Sequence, residues 1–173
     1  MVIFDANFLL LLLDPDVDVP TDPATGQLLD RAKDRVEFLI STLSDQRETI
    51  GIPTPVVAEV LVHAGPAGPR YLSTIANASC FRILPFDLRA AIELAARTAS
   101  AIKAGDKRGG SSAPWQKVKV DRQIATIGIV EAATTFYADD QGVVRFVRDA
   151  GLPAISSWDL PLPPESKQGY LDF

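Results

Sequence analysis

Apolar positions along this chain recur at two different spacings, and the change from one to the other marks its elements. MVIFDANFLLLLLDPD opens with a short apolar run at 2–4, is broken by Asp5, and continues past Asn7 into five successive leucines. Four further short apolar runs bounded by turn residues predict strands over 50–52, 81–84, 134–138 and 153–156. Between them the spacing lengthens to that of a helix. Leu28, Leu29, Ala32, Val36, Leu39, Ile40 and Leu43 predict a helix over 26–43 with one buried face. Thr54 and Pro55 read as cap and first helical position of a segment running through Glu59 toward His63 and stopped at Gly65. Asp87 caps a helix over 88–104 closed by Gly105, and two more helices are predicted over 121–132 and 142–149. Two stretches follow neither spacing. Residues 14–25 are rich in Pro and Asp, and residues 103–119 contain GDKRGGSSAPWQK, so both are expected to be exposed loops, the second a basic insertion. The prolyl tail DLPLPPES, from about residue 159, is expected to be irregular.

Strands that alternate with helices predict an α/β fold with a mainly parallel sheet of about five strands, covered on both faces and connected by right-handed crossovers. A chain of 173 residues with 47% hydrophobic content suits a single domain spanning 1–173, with a core of its own. The apolar start is expected to belong to that core rather than to a leader. No Lys or Arg precedes Arg31, Asp5 interrupts the run, and the uninterrupted piece at 8–13 is far below the roughly 20 residues a membrane span requires. A single cysteine leaves no internal disulfide, which together with the lack of a leader points to the cytoplasm and no membrane association. Cys80, within SCFRILPF, reads as a small buried hydrophobe. The net charge of −5 argues against a generally basic coat for nucleic acid, although a binding face needs only local positive charge.

Asp5 is the first candidate for chemistry. An acid at the carboxyl end of a first strand lies where open α/β sheets bind ligands, and its alternative reading is a helix cap. Glu59 falls in the helix after the second strand, Asp121 at the predicted start of the helix after the basic loop, and Asp139 and Asp140 after the fourth strand. In a parallel sheet these points share one edge. Carboxylates gathered there repel one another, and a hard divalent cation such as Mg²⁺ or Mn²⁺ would neutralise them and could promote attack on a phosphodiester.

FDAN after an N-terminal strand, PTPVVAEVL with its single Glu, KVKVDRQIATIGI and FYADDQGV, in this order and spacing, resemble the PIN domain nucleases, most closely the VapC-like toxin subgroup. The resemblance runs from Met1 to about Leu160 and is weakest in the two loops. It implies a three-layer α/β/α sandwich, Mg²⁺- or Mn²⁺-dependent cleavage of single-stranded RNA, frequent homodimers and, in the toxin subgroup, an antitoxin partner that occludes the site. Position by position it implies that Asp5, Glu59, Asp121 and Asp140 are the catalytic, metal-holding acids, with Asp139 the alternate for the last of them and Asn7 in support. Ala138 stands where the family often has Thr or Ser, and Gly142 where it often has a further Asp.

Positive charge concentrates in Lys103, Lys107, Arg108, Lys117, Lys119 and Arg122 around Trp115, a set suited to phosphates and to stacking an unpaired base, or simply to a solvated loop. His63, the sole histidine, lies four residues after Glu59 and is read as a solvated or satisfied helix-end residue rather than a contact to metal or RNA. One histidine and no GxSxG elbow give little support to a serine or cysteine hydrolase. The rival enzyme class is a phosphatase of the haloacid dehalogenase type, against which Asn7 stands where a second Asp would be needed. The remaining alternatives are a PIN nuclease of RNA processing without an antitoxin and an inactive PIN-like binding scaffold.

Overall fold

The β-branched and aromatic runs form five parallel strands in the computed structural model of the chain, which describes residues 1–164. They are β1 (Val2–Phe4), β2 (Ile50–Pro53), β3 (Phe81–Leu84), β4 (Thr135–Tyr137) and β5 (Ala154–Ile155), in the order β3-β2-β1-β4-β5. Val2 lies opposite both Ile50 of β2 and Thr135 of β4, so β1 is the central strand, and it is buried throughout. Seven α-helices flank the sheet: α1 (Ala6–Leu13), α2 (Ala32–Asp45), α3 (Thr54–Ala64), α4 (Gly68–Asn77), α5 (Leu88–Lys103), α6 (Trp115–Val130) and α7 (Gln141–Asp149). This is the α/β/α architecture with a mainly parallel sheet that the alternation predicts.

Three helices differ from the prediction. α2 begins at Ala32 rather than near residue 26, because Leu28 is held in an antiparallel bridge to Thr21 and Arg31 adopts a left-handed backbone with φ of 52°. α4 was not anticipated. Gly65 does end α3, but a short 3-10 turn over Gly65–Ala67 leads straight into a helix with Pro near its start that buries Tyr71 and Ile75. α6 begins at Trp115 rather than at 121, so Asp121 lies well inside it, Lys117 and Lys119 are helical, and the loop between α5 and α6 shrinks to 104–114.

α6 also sits very close to the sheet. A Cβ at Gly128 would come 2.8 Å from Ile3 Cγ1, an approach only glycine allows. On the same central strand Phe4 packs against Phe8 and Tyr137 with ring centroids 5.3 and 5.5 Å apart. Phe4 and Phe8 are fully buried, each worth about 1.5–3 kcal/mol, and they fix the backbone on both sides of Asp5.

Cys80 is half-buried and packs against the core. After a 3-10 turn over Ser157–Asp159 the chain anchors Leu160, buried, with its carbonyl accepting from the Arg35 guanidinium. Residues 161–164 have no regular structure, and Glu165 and Ser166 lie outside the described residues. No helix among the described residues is long and apolar enough to cross a membrane.

The strand order places a topological switch point at β1. The chain runs outward through β2 and β3 on one side, then returns to β4 and β5 on the other. Ligand crevices of such sheets open at that point, at the carboxyl ends of the strands.

Candidate functional site

Asp5 stands at this crevice because it immediately follows β1 and its backbone N–H donates to the Tyr137 carbonyl at 3.0 Å, continuing the β1–β4 ladder by one bond. Its side chain also caps α1. Oδ1 accepts from the Phe8 N–H at 3.1 Å, and Oδ2 accepts from the N–H of Asp139 at 2.8 Å and of Asp140 at 3.4 Å. The capping reading and the site reading of Asp5 thus describe the same carboxylate. It is only 4% exposed, and burial, with the Asp139 charge in second place, pushes its pKa up to about 7 against the pull of the three amides.

Asp5, Asn7, Glu59, Asp121 and Asp140 line one cavity of about 300 Å³, with Val120, Ile124 and Val143 forming apolar wall. Glu59 and Asn7 are exposed at this edge, whereas Asp121 is 6% exposed. Burial, then the neighbouring Asp140 charge, raises the Asp121 pKa, and Lys117 pulls it back. Asp140 caps α7, with Oδ1 accepting from the N–H of Gly142 at 2.7 Å and of Val143 at 3.2 Å. Its other oxygen pairs with the Lys117 ammonium, which also reaches Asp121 Oδ1 at 3.3 Å. Lys117 and Asp121 are four residues apart on α6, the spacing that lets a helical ion pair form.

Asp139 faces elsewhere. Its Oδ1 accepts from the Ser157 N–H at 2.7 Å and its Oδ2 from the Ser157 hydroxyl at 2.8 Å, and it does not line the cavity. It ties β4 to the turn after β5, and burial raises its pKa while Ser157 opposes the shift. Gly142 also has a structural reason. A Cβ there would meet the Asp121 carboxylate and come within 3.0 Å of Asp140 Oδ1, so a side chain at this position would displace those carboxylates.

Among the described residues no three His, Cys, Asp or Glu side chains form a ready-made metal ligand set. Lys117 occupies the space between Asp121 and Asp140 as an internal cation. Four carboxyl groups nevertheless face one cavity with a single ammonium between them, and those hard oxygen donors suit Mg²⁺ or Mn²⁺ better than a soft metal.

A second, larger hollow of about 830 Å³ adjoins the first, sharing Lys117, Asp121 and Asp140. It runs between α5, the 104–114 loop, α6 and α7. Of the basic candidates, Arg108, Lys117 and Arg122 line it, while Lys103, Lys107 and Lys119 do not. Trp115 is engaged on its faces, with Lys107 Nζ 4.1 Å and the Arg122 guanidinium 5.6 Å from the ring centroid. Two lining residues escaped the sequence reading, Arg97 of α5 and Arg145 of α7. Only helix packing brings them beside Arg122, and no local pattern marks either. His63 is exposed, in the last turn of α3, and lines neither cavity.

No family model matches the sequence, and no curated protein does. Solved structures do match. A chain of VapBC2 from Rickettsia felis, in a crystal structure bound to a DNA fragment from its promoter, superposes with a TM-score of 0.60 at 15% identity, covering 90% of this chain and 98% of that one. A chain of DNA-bound VapBC from Salmonella typhimurium gives a TM-score of 0.55 at 16% identity, covering 90% and 97%. At these identities the likeness is one of fold alone, and the fold is the α/β/α one with a mainly parallel sheet that the sequence predicts.

Proposed function

We propose that this PIN-like chain is a divalent-metal-dependent endoribonuclease and the toxin half of a toxin–antitoxin pair. The observation that carries the nuclease reading is the convergence of Asp5, Glu59, Asp121 and Asp140, from four separate segments, on one cavity at the topological switch point. The toxin reading rests on the two structural neighbours, both chains of VapBC complexes, and brings with it an antitoxin as partner. That both neighbours were solved with DNA fits such a partner rather than a DNA substrate.

Asp5, Asp121 and Asp140 would hold Mg²⁺ or Mn²⁺, with Glu59 completing the set from the open side. When bound, the cation supplies the charge that activates a water for in-line attack on a phosphodiester and offsets the charge that builds on it. The protein's part is preorganisation. Strand β1 and three backbone amides hold the Asp5 carboxylate in one orientation, so no reorganisation is needed when charge develops. Without a cation the Asp5 carboxyl keeps its proton to about pH 7, and Lys117 satisfies Asp121 and Asp140. Asn7, on the cavity wall, is placed to orient a carboxylate or a water by hydrogen bonding.

The test is cleavage of mixed structured and unstructured RNA with Mn²⁺ or Mg²⁺, beside a chelator and an Asp5→Asn variant, with a simple phosphomonoester as second substrate. Cleavage should fall by about 10²-fold or more in Asp5→Asn and vanish with chelator, as expected when a catalytic group is lost. Turnover of the phosphomonoester but not of RNA would replace the nuclease with a phosphatase.

A further inference from the structure

Arg122 is 3% exposed, and burying a permanently charged guanidinium is costly unless an anion offsets it. Among the described residues no carboxylate pairs with it, and the Asp106 charge favours it only through space. Its Nη1 reaches only the Thr98 hydroxyl, at 3.5 Å, its Nε has no hydrogen-bond partner, and it forms no ion pair. What holds it is aromatic. The guanidinium lies between the rings of Trp115 and Phe146, 5.6 and 5.4 Å from their centroids, which orients the group without neutralising it.

Among the described residues two more arginines lack a carboxylate partner along the same 830 Å³ groove, Arg108 and Arg145, whereas Arg97 is paired with Glu93 at 2.7 Å. Arg145 donates only to the Gly109 carbonyl, at 3.4 Å. Gly109 and Gly110 adopt left-handed backbone, with φ of 59° and 75°, and their bare backbone brings Arg122 and Arg145 against the same dipeptide. A Cβ on Gly109 would lie 3.4 Å from Arg122 Nη2, and one on Gly110 3.4 Å from Arg145 Nη1. The groove ends at Lys117, Asp121 and Asp140, which are the wall of the acidic cavity.

We propose that this groove is a phosphate subsite for a nucleic-acid backbone, with Arg122 fixed at its base by Trp115 and Phe146, Arg108 and Arg145 at its rim, and the acidic cavity at its end. The proposal rests on the nuclease reading for the identity of the strand. The planar fork of Arg suits phosphate oxygens, and three such forks in line with the acids would hold the phosphates beside the one to be cut. The contacts are to phosphate rather than to bases, so they position the strand without reading its sequence.

The test measures binding of a short unstructured RNA to the full chain in chelator, as a function of salt, and cleavage with Mn²⁺ in parallel. The double variant Arg108→Gln/Arg145→Gln should bind about tenfold or more weakly. Its slope of log affinity against log salt should flatten by about 1.4, from two contacts at roughly 0.7 each on a single strand. Lys33→Gln, an exposed lysine of α2 outside the groove, should leave the slope unchanged. Arg122→Lys, which keeps the charge but loses the fork, should weaken binding with little change of slope. Single-stranded DNA of the same length should show the same flattening in the double variant, because phosphate is what the groove contacts. An unflattened slope, or no binding of RNA by the wild-type chain, overturns the subsite. Cleavage retained with an unflattened slope would overturn the subsite alone, and a flattened slope without cleavage by the wild-type chain would overturn the nuclease alone.

Discussion

The acidic cavity and the arginine groove share a wall yet solve opposite electrostatic problems. In the cavity, four carboxyl groups face a small space and are partly relieved by one ammonium and by helix-capping amides. In the groove, four arginines line a larger space, Arg97 paired with Glu93, and the buried Arg122 packs against two aromatic rings. The first region carries surplus negative charge fixed by strand and helix ends. The second sets four arginines and Lys117, from helix faces and a glycine-rich loop, against the carboxylates of Glu93, Asp121, Asp140 and Asp149. Each lacks what a cation-bound nucleic-acid strand would bring, and Lys117 stands where they meet.

Separating the two regions by mutation gives the largest expected effect. Asp140→Ala should cut RNA cleavage by about 10²-fold or more while leaving the salt slope of RNA binding intact. Asp139→Ala should instead keep cleavage and cost about 1–3 kcal/mol of stability, measured by denaturant unfolding, because it removes both bonds to Ser157. Equal loss of cleavage in both would erase the distinction between them. A smaller effect is expected at the shared wall. Lys117→Met removes the internal cation and should tighten Mn²⁺ binding about tenfold by calorimetry, a coupling of about 1.4 kcal/mol. Unchanged affinity would mean that Lys117 and the ion do not compete.

A pH dependence is expected on the acidic side as well. The Asp5 pKa is raised from 3.8 to about 7, so its proton favours the folded chain; that stability is complete below 3.8 and is lost as pH rises through about 7. The raised pKa values of Asp121 and Asp139 act in the same sense. Without metal the melting temperature should therefore fall by several degrees between about pH 4 and pH 8, and Asp5→Asn should flatten that trend. A melting temperature that rises over this range would contradict the assignment.

The two regions also differ in how much of them the sequence reveals. Asp5 was legible because a polar residue at the end of a central strand breaks an otherwise continuous apolar run, and Asp140 because it follows the fourth strand within the family-like FYADDQGV. Lys117 was misread as a loop residue. The start of α6 has Pro114 at its cap position and no side-chain capping bond, and KVKV reads as alternation, so nothing local announced six further residues of helix. Once α6 starts at Trp115, the spacing of Lys117 and Asp121 by four places their ion pair. α4 was hidden by two prolines and two glycines that serve as its entry rather than as breaks. Arg97 and Arg145 carry no local signal at all, because only the packing of α5 and α7 on α6 makes them neighbours.

Lys117 has a consequence for how the chain comes into being. A newly made polypeptide that must gather four carboxyl groups in one hollow would ordinarily depend on a free ion to finish folding. Here the counter-charge is tethered in the sequence itself, four residues from one of the acids it serves, and arrives with α6. Folding can then run to completion without a free divalent cation to offset the gathered acids.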